Sequence, residues 1–261
     1  AGTFDSLRND SEMKVGTDIF WRPTTNTQFS TTLNPDFGSV AADDVIVNLS
    51  AFEVFFREQR QFFLEGQDVF LTHPRNTNPG GPGGPISMLN TRRIGSAPAF
   101  DVPDDVDTVA TDVSTPSDLL GAAKFTGQSG NLRYGILAAS EANSQILGTD
   151  QDGSTVKLDA DGRDFLVGRL IYEDTSSGGR RSIGWMGTDI SHSSTDATVN
   201  GIDAHYFSAD NRLVFDGQFF HSNVEGVTGM GGMADFRFRP DRGKQHTLRA
   251  TYFDETLDIN D

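Results

Sequence analysis

Residues 25–66 read TNTQFSTTLNPDFGSVAADDVIVNLSAFEVFFREQRQFFLEG. Seven Phe (Phe29, Phe37, Phe52, Phe55, Phe56, Phe62, Phe63) stand there among the fixed charges Asp36, Asp43, Asp44, Glu53, Arg57, Glu58, Arg60 and Glu65. An amphipathic helix separates its apolar and charged faces, and this stretch does not. Nor does a solvated loop need so many aromatic rings. Burying carboxylates and guanidiniums beside rings is costly unless the charges neutralise one another. The segment suits an enclosed but polar space, and the lumen of a β-barrel is such a space.

Around it, apolar residues recur at period 2, the strand spacing, and hardly anywhere at helical spacing. Met13, Val15, Thr17, Ile19 and Trp21 fall on one face of residues 13–21. Leu132, Tyr134, Ile136 and Ala138 oppose Arg133, Gly135, Leu137 and Ala139. Ile202, Ala204 and Tyr206 oppose Asp203, His205 and Phe207. Turn signals separate such runs, at Gly130-Asn131, Gly178-Gly179, Asp210-Asn211 and Pro240–Gly243. Strands are expected near 12–22, 25–34, 118–127, 131–141, 164–174, 181–192, 198–208, 211–222, 232–239 and 245–256. Segments of about 9–11 residues joined this way are the pattern of an antiparallel transmembrane β-barrel.

Two stretches break the rhythm. Residues 35–116 are too long for a hairpin; they read as a plug-like, lumen-filling insert followed by a Gly/Pro loop, NPGGPGGP at 78–85. Barrel strands then precede it (1–34) and follow it (117–261). Residues 148–162, GTDQDGSTVKLDADG, read as a polar acidic loop.

The 261 residues carry a net charge of −16, no Cys, and seventeen Arg against four Lys. The acidic balance argues against nucleic acid, whose phosphates need clustered positive charge. No run of about 18 apolar residues marks a membrane helix, and the mean hydropathy of −0.40 says little about barrels, whose strands alternate. Arg pairs with carboxylates in a fork that Lys lacks, which suits a charged lumen.

NPDF (34–37), VNLSAFEVFFREQRQFFLEGQDVF (47–70), TRRIG (91–95), LLGAAKFTGQSG (119–130) and YFDETLDIND (252–261) resemble the DUF5916-type family of bacterial outer-membrane β-barrels. Its members often carry a preceding family 9-type carbohydrate-binding module, and none lies within these residues. The resemblance implies an outer-membrane location, lipid contact, and the FFLEG and RRIG motifs brought together inside the barrel or at its periplasmic mouth. It also implies a barrel that continues beyond the YFDETLDIND motif. Residues 1–261 are therefore expected to form the N-terminal part of a larger barrel, with 245–256 not pairing back onto 12–22.

Glu53, Glu58 and Glu65 offer carboxylates of the kind glycoside hydrolysis uses in facing pairs, but spacing does not place any two opposite each other. They are expected instead to pair with Arg57, Arg60, Arg92 and Arg93 in a buried charge network. Asn34, Pro35, Asp36 and Phe37 end a strand and cap the following turn. Asp150, Asp152, Asp159 and Asp161 are weak calcium candidates, since the twelfth-position Glu of an EF-hand loop is missing. The five His lack zinc spacing, with His205, His221 and His246 read as wall residues. No nucleophile elbow or phosphate loop occurs, so no cofactor and no catalytic residue is expected. The reading is a non-enzymatic outer-membrane barrel that binds or passes a solute such as a glycan. The alternatives are a soluble exported β-sandwich linked to carbohydrate binding or hydrolysis, and a structural subunit that assembles with other envelope proteins.

Overall fold

Period-2 patterning with turn residues every ten or so positions yields, among the described residues, thirteen strands: β1 (Thr17–Thr24), β2 (Thr27–Leu33), β3 (Val106–Thr108), β4 (Leu119–Ser129), β5 (Leu132–Glu141), β6 (Ser144–Asp150), β7 (Thr155–Ala160), β8 (Asp164–Asp174), β9 (Arg180–Ser191), β10 (Asp196–Phe207), β11 (Leu213–Val224), β12 (Val227–Phe238) and β13 (His246–Phe253). The computed structural model describes residues 15–35, 58–74, 87–98, 100–109, 113–192 and 196–259. Ten strands make one antiparallel sheet in the order β1-β2-β4-β5-β8-β9-β10-β11-β12-β13. Among the described residues β1 and β13 each pair on one side only, so this sheet does not close on itself.

The hairpins are set by local backbone chemistry. Between β11 and β12 the two-residue turn Glu225-Gly226 has φ of 50° and 83°, the paired positive φ that matches the twist of the flanking strands. The polar stretch 148–162 is not simply a loop. Its first three residues end β6 and residues 155–160 form β7, which pairs with β6, with β3 added at the edge. Asp150 Oδ1 accepts from the backbone N–H of Asp152 (3.0 Å) and Ser154 (2.7 Å), which turns the chain back on itself.

The ten-stranded sheet has unequal faces. Outward stand Ile19, Trp21, Leu132, Ile136, Leu166, Leu170, Ile183, Trp185, Ile202, Phe219 and Leu248, all exposed. Inward stand Ser30, Thr32, Lys124, Thr126, Arg169, Ser182, Asp203, Asp216, Gln218 and Ser222, all buried. A one-residue slip in any strand would exchange the two sets, so the register carries this polarity.

The inner face is covered by the long connection between β2 and β4. It contributes the short helix α1 (Gln61–Leu64) and 3-10 turns at Gln67–Phe70 and Thr91–Arg93. Phe62, Phe63, Val69, Phe70, Met88 and Ile94 from this insert share one core with Leu119, Leu137, Phe165, Val167, Met186, Val199, Phe220 and Met233 of the sheet. Contact is close enough to demand glycine on the wall. A Cβ at Gly135 would lie 2.9 Å from the Phe70 ring, and one at Gly201 would lie 2.5 Å from the Met88 sulfur.

Candidate functional site

The seam between the insert and the inner face of the sheet gathers buried charge: Arg60, Lys124, Glu141, Arg169, Asp203 and Asp216 are all buried. Glu58 and Arg60 bracket the start of α1 and bind each other directly. Arg60 Nε and Nη2 donate to the two Glu58 carboxylate oxygens at 2.8 and 2.7 Å. The same guanidinium donates to the Ile94 carbonyl (2.6 Å) and the Thr91 carbonyl (2.5 Å), while Thr91 Oγ1 donates to Glu58 at 2.8 Å. Arg60 also stacks over the Phe63 ring at 4.3 Å. Both side chains are almost fully buried. Burial raises the Glu58 carboxyl, but the hydrogen bonds and charge of Arg60, joined by Thr91, more than offset this and hold it below its ordinary value. The FFLEG and TRRIG motifs thus meet through one clamped guanidinium.

The other residues singled out from the sequence take different places. Glu65 accepts from Gln28 Nε2 at 2.6 Å and lies 3.8 Å from Arg22, both from the first hairpin. Arg93 offers its carbonyl to Arg163 Nη2 at 3.1 Å, and the Arg92 N–H donates to Asn90 Oδ1 at 3.2 Å. Asn34 adopts φ 46° at the end of β2 and donates from Nδ2 to the Val15 carbonyl, with Pro35 following. Glu53, Arg57, Asp36 and Phe37 lie outside the described residues. Asp150 is occupied in the β6–β7 turn, and Asp159 accepts from Gln145 at 2.5 Å. Among the described residues, no group of three or more metal-ligating side chains comes together, around Asp152 and Asp161 included.

The wall grips the insert with residues that the sequence had not marked. Lys124 Nζ donates to the Phe62 and Glu65 carbonyls at the end of α1, where the unsatisfied carbonyls of a helix collect. Arg133 pairs with Asp68. Glu141 accepts from the Gly95 N–H at 2.6 Å and from Arg163 Nε at 2.8 Å. Arg163 in turn reaches Ser96 Oγ at 3.0 Å. Between the first hairpin and the insert a groove of about 280 Å³ opens, lined by Arg22, Asn26, Gln28, Asp68, Thr126 and Arg133.

Further along the wall, a second cluster is built from the strands themselves. Arg169 on β8 forms a forked pair with Asp203 on β10 (2.5 and 2.9 Å) and donates from Nε to the Val69 carbonyl of the insert at 3.1 Å. His205 places Nδ1 2.7 Å from Asp216 and Nε2 3.1 Å from Asp203. Each ring nitrogen faces a carboxylate oxygen, so neither is left to deprotonate a nucleophile. Ser182 stands opposite His205 in register but is not bonded to it. The cluster neutralises buried charge and holds the insert. Its signal lay in strand runs that place a charge at an inward position between apolar outward ones, as in Leu166-Val167-Gly168-Arg169-Leu170.

No curated protein and no solved structure matches the chain. The family model of DUF5916, a domain of unknown function, matches residues 3–261. The chain therefore belongs to the DUF5916 family.

Proposed function

We propose that the ten-stranded sheet is the wall of a bacterial outer-membrane β-barrel, that residues 58–74 and 87–96 plug its lumen, and that the protein binds or passes a small polar solute without chemical turnover. The observation that carries this reading is the reversed polarity of the sheet. A water-exposed antiparallel sheet puts its charges outward; here the buried charges face the insert and large apolar side chains face away. An apolar surface of this extent on a soluble monomer would mark an interaction site, and lipid is the partner that asks for no complementary shape. Strands of 10–12 residues in β4, β5 and β8–β12 suit a bilayer crossing. Tyr134, Tyr172 and Tyr206 point outward near the same turn end of β5, β8 and β10, as in an interfacial aromatic girdle. On this reading the groove between Arg22 and Arg133 is the mouth, and a glycan fragment is the size of solute it admits.

Both tryptophans, Trp21 and Trp185, stand exposed on the outer face, which gives a direct test. Protein 1–261 refolded into vesicles of brominated phospholipid should lose most of its tryptophan fluorescence relative to unbrominated vesicles. Unquenched emission, or a monomer stable in buffer without detergent, would overturn the proposal.

A further inference from the structure

Two adjacent rows cross the inner wall. Ser182, His205 and Asp216 form one across β9, β10 and β11, and Gly184, Asp203 and Gln218 form the next. The fixed charges in and beside these rows satisfy one another, through the Arg169–Asp203 fork and the His205 bridge to Asp216. Arg169 reaches Asp203 by lying across Gly184, where a Cβ would meet its Nη1 at 2.5 Å. Gln218 and Ser182 stand at the two flanks of that cluster and take no part in it. Gln218 is 5% exposed and Ser182 7%, yet among the described residues neither amide atom of Gln218 nor the Ser182 hydroxyl has a hydrogen-bond partner. Buried polar groups are nearly always satisfied, so each exception calls for a partner.

We infer that Gln218 and Ser182 form a docking site for a small neutral hydroxyl-bearing solute on the inner wall. The class follows from what is left unbonded. The charges are already paired, so the site offers no net attraction to an ion. What remains is a planar amide, with a donor and an acceptor side by side, and a hydroxyl that both gives and accepts. A pair of neighbouring solute hydroxyls matches that amide, one accepting from Nε2 and the other donating to Oε1. The inference rests on the barrel reading, in which this wall faces the lumen. It adds the part of the lumen that recognises the solute and the chemistry it recognises. Site and mouth groove lie on different strands, β9–β11 against β1, β2, β4 and β5.

The test uses the whole chain in amine-oxide micelles, with glycerol, arabinose and maltose as probes in saturation-transfer NMR. At least one probe should receive saturation from the wild-type protein, and the transfer should fall tenfold or more in Gln218→Met and in Ser182→Ala. Gln218→Met is close to isosteric and removes an unsatisfied amide, so its melting temperature should equal or exceed that of the wild type. That keeps a binding loss from being a folding loss. Equal transfer in both variants, or none from any probe to the wild type, would overturn the inference and leave ordered water as the partner of these groups. Because binding is read in micelles, failure here leaves the brominated-lipid result standing, whereas unquenched tryptophan would fail the barrel reading itself, so the two failures are told apart.

Discussion

Arg169 and Leu170 are neighbours in β8 and stand on opposite faces of the sheet. Arg169 is 2% exposed, forked onto Asp203 and bonded to the Val69 carbonyl. Leu170 is 47% exposed, and it stands among Ile136, Ile183 and Ile202 of the outward set. The comparison repeats at Asp203 beside Ile202 and at Gln218 beside Phe219. Alternation alone makes a sheet two-faced; which face is charged depends on what each face meets. Here the insert meets the charged one with carbonyls, carboxylates and rings, and those contacts keep the wall's cations from standing alone in a dry interior.

The largest effect should come from breaking the inner side of this contrast. Arg169→Met leaves Asp203 with His205 alone and frees the Val69 carbonyl. Removing one partner of a buried pair costs about 3–5 kcal/mol. Urea titration of vesicle-refolded protein should show that loss, whereas a cost below about 1 kcal/mol would mean that the cluster is hydrated.

Next comes the outer side. Leu170→Arg puts a cation on the face opposite Arg169 with no carboxylate prepared for it. In lipid such a change costs between about 1 and 4 kcal/mol, the more the deeper the residue lies. On a water-facing surface it would fall within about 0.5 kcal/mol. Measuring it beside Arg169→Met in the same vesicles decides whether the two faces differ in solvent or only in composition.

The Glu58–Arg60 clamp sharpens the comparison inside the insert. Glu58→Gln keeps the shape but gives up the charge-assisted bonds, which should cost about 1–3 kcal/mol at pH 7. The folded Glu58 carboxyl titrates below its ordinary value of 4.5. Its contribution is therefore complete above that value and is lost as pH falls through the lower folded value. The urea-midpoint gap between wild type and Glu58→Gln should shrink from pH 7 to pH 3. A gap that stays constant would mean that the Glu58 charge does not support the clamp.

All ten strands of the large sheet were legible in the sequence because each presents an alternating run closed by turn residues. What stayed hidden has physical causes. The first half of β12 reads Val227-Thr228-Gly229-Met230-Gly231, and glycines erase the alternation. They are there because a Cβ at Gly229 would meet the Leu257 backbone at 2.4 Å. The β6–β7 hairpin was masked by its acidic surface, although Ile146 and Leu158 are buried in it. In the site, Glu58 and Arg60 were legible as charges needing partners, being two residues apart in a Phe-rich run. Lys124, Arg169, Asp203 and Asp216 were not. Each is flanked on both sides by uncharged residues, and only strand order shows that Asp203 and Asp216 share a face with His205 between them.

The smallest effect should come at the groove beside the first hairpin, where the same guanidinium chemistry meets water. Arg22 bonds Gln28 at 3.0 Å and lies 3.8 Å from Glu65, and its side chain is 68% exposed. An exposed pair of this kind contributes about 0–1 kcal/mol and weakens as salt screens it. Arg22→Ala should therefore shift the urea midpoint little, and 0.5 M NaCl should erase even that shift. Arg169→Met should keep its full cost in the same salt, because a buried fork is screened far less. If salt relieves the two variants alike, the inner face of the sheet is as wet as the groove, and the contrast between buried and exposed charge disappears.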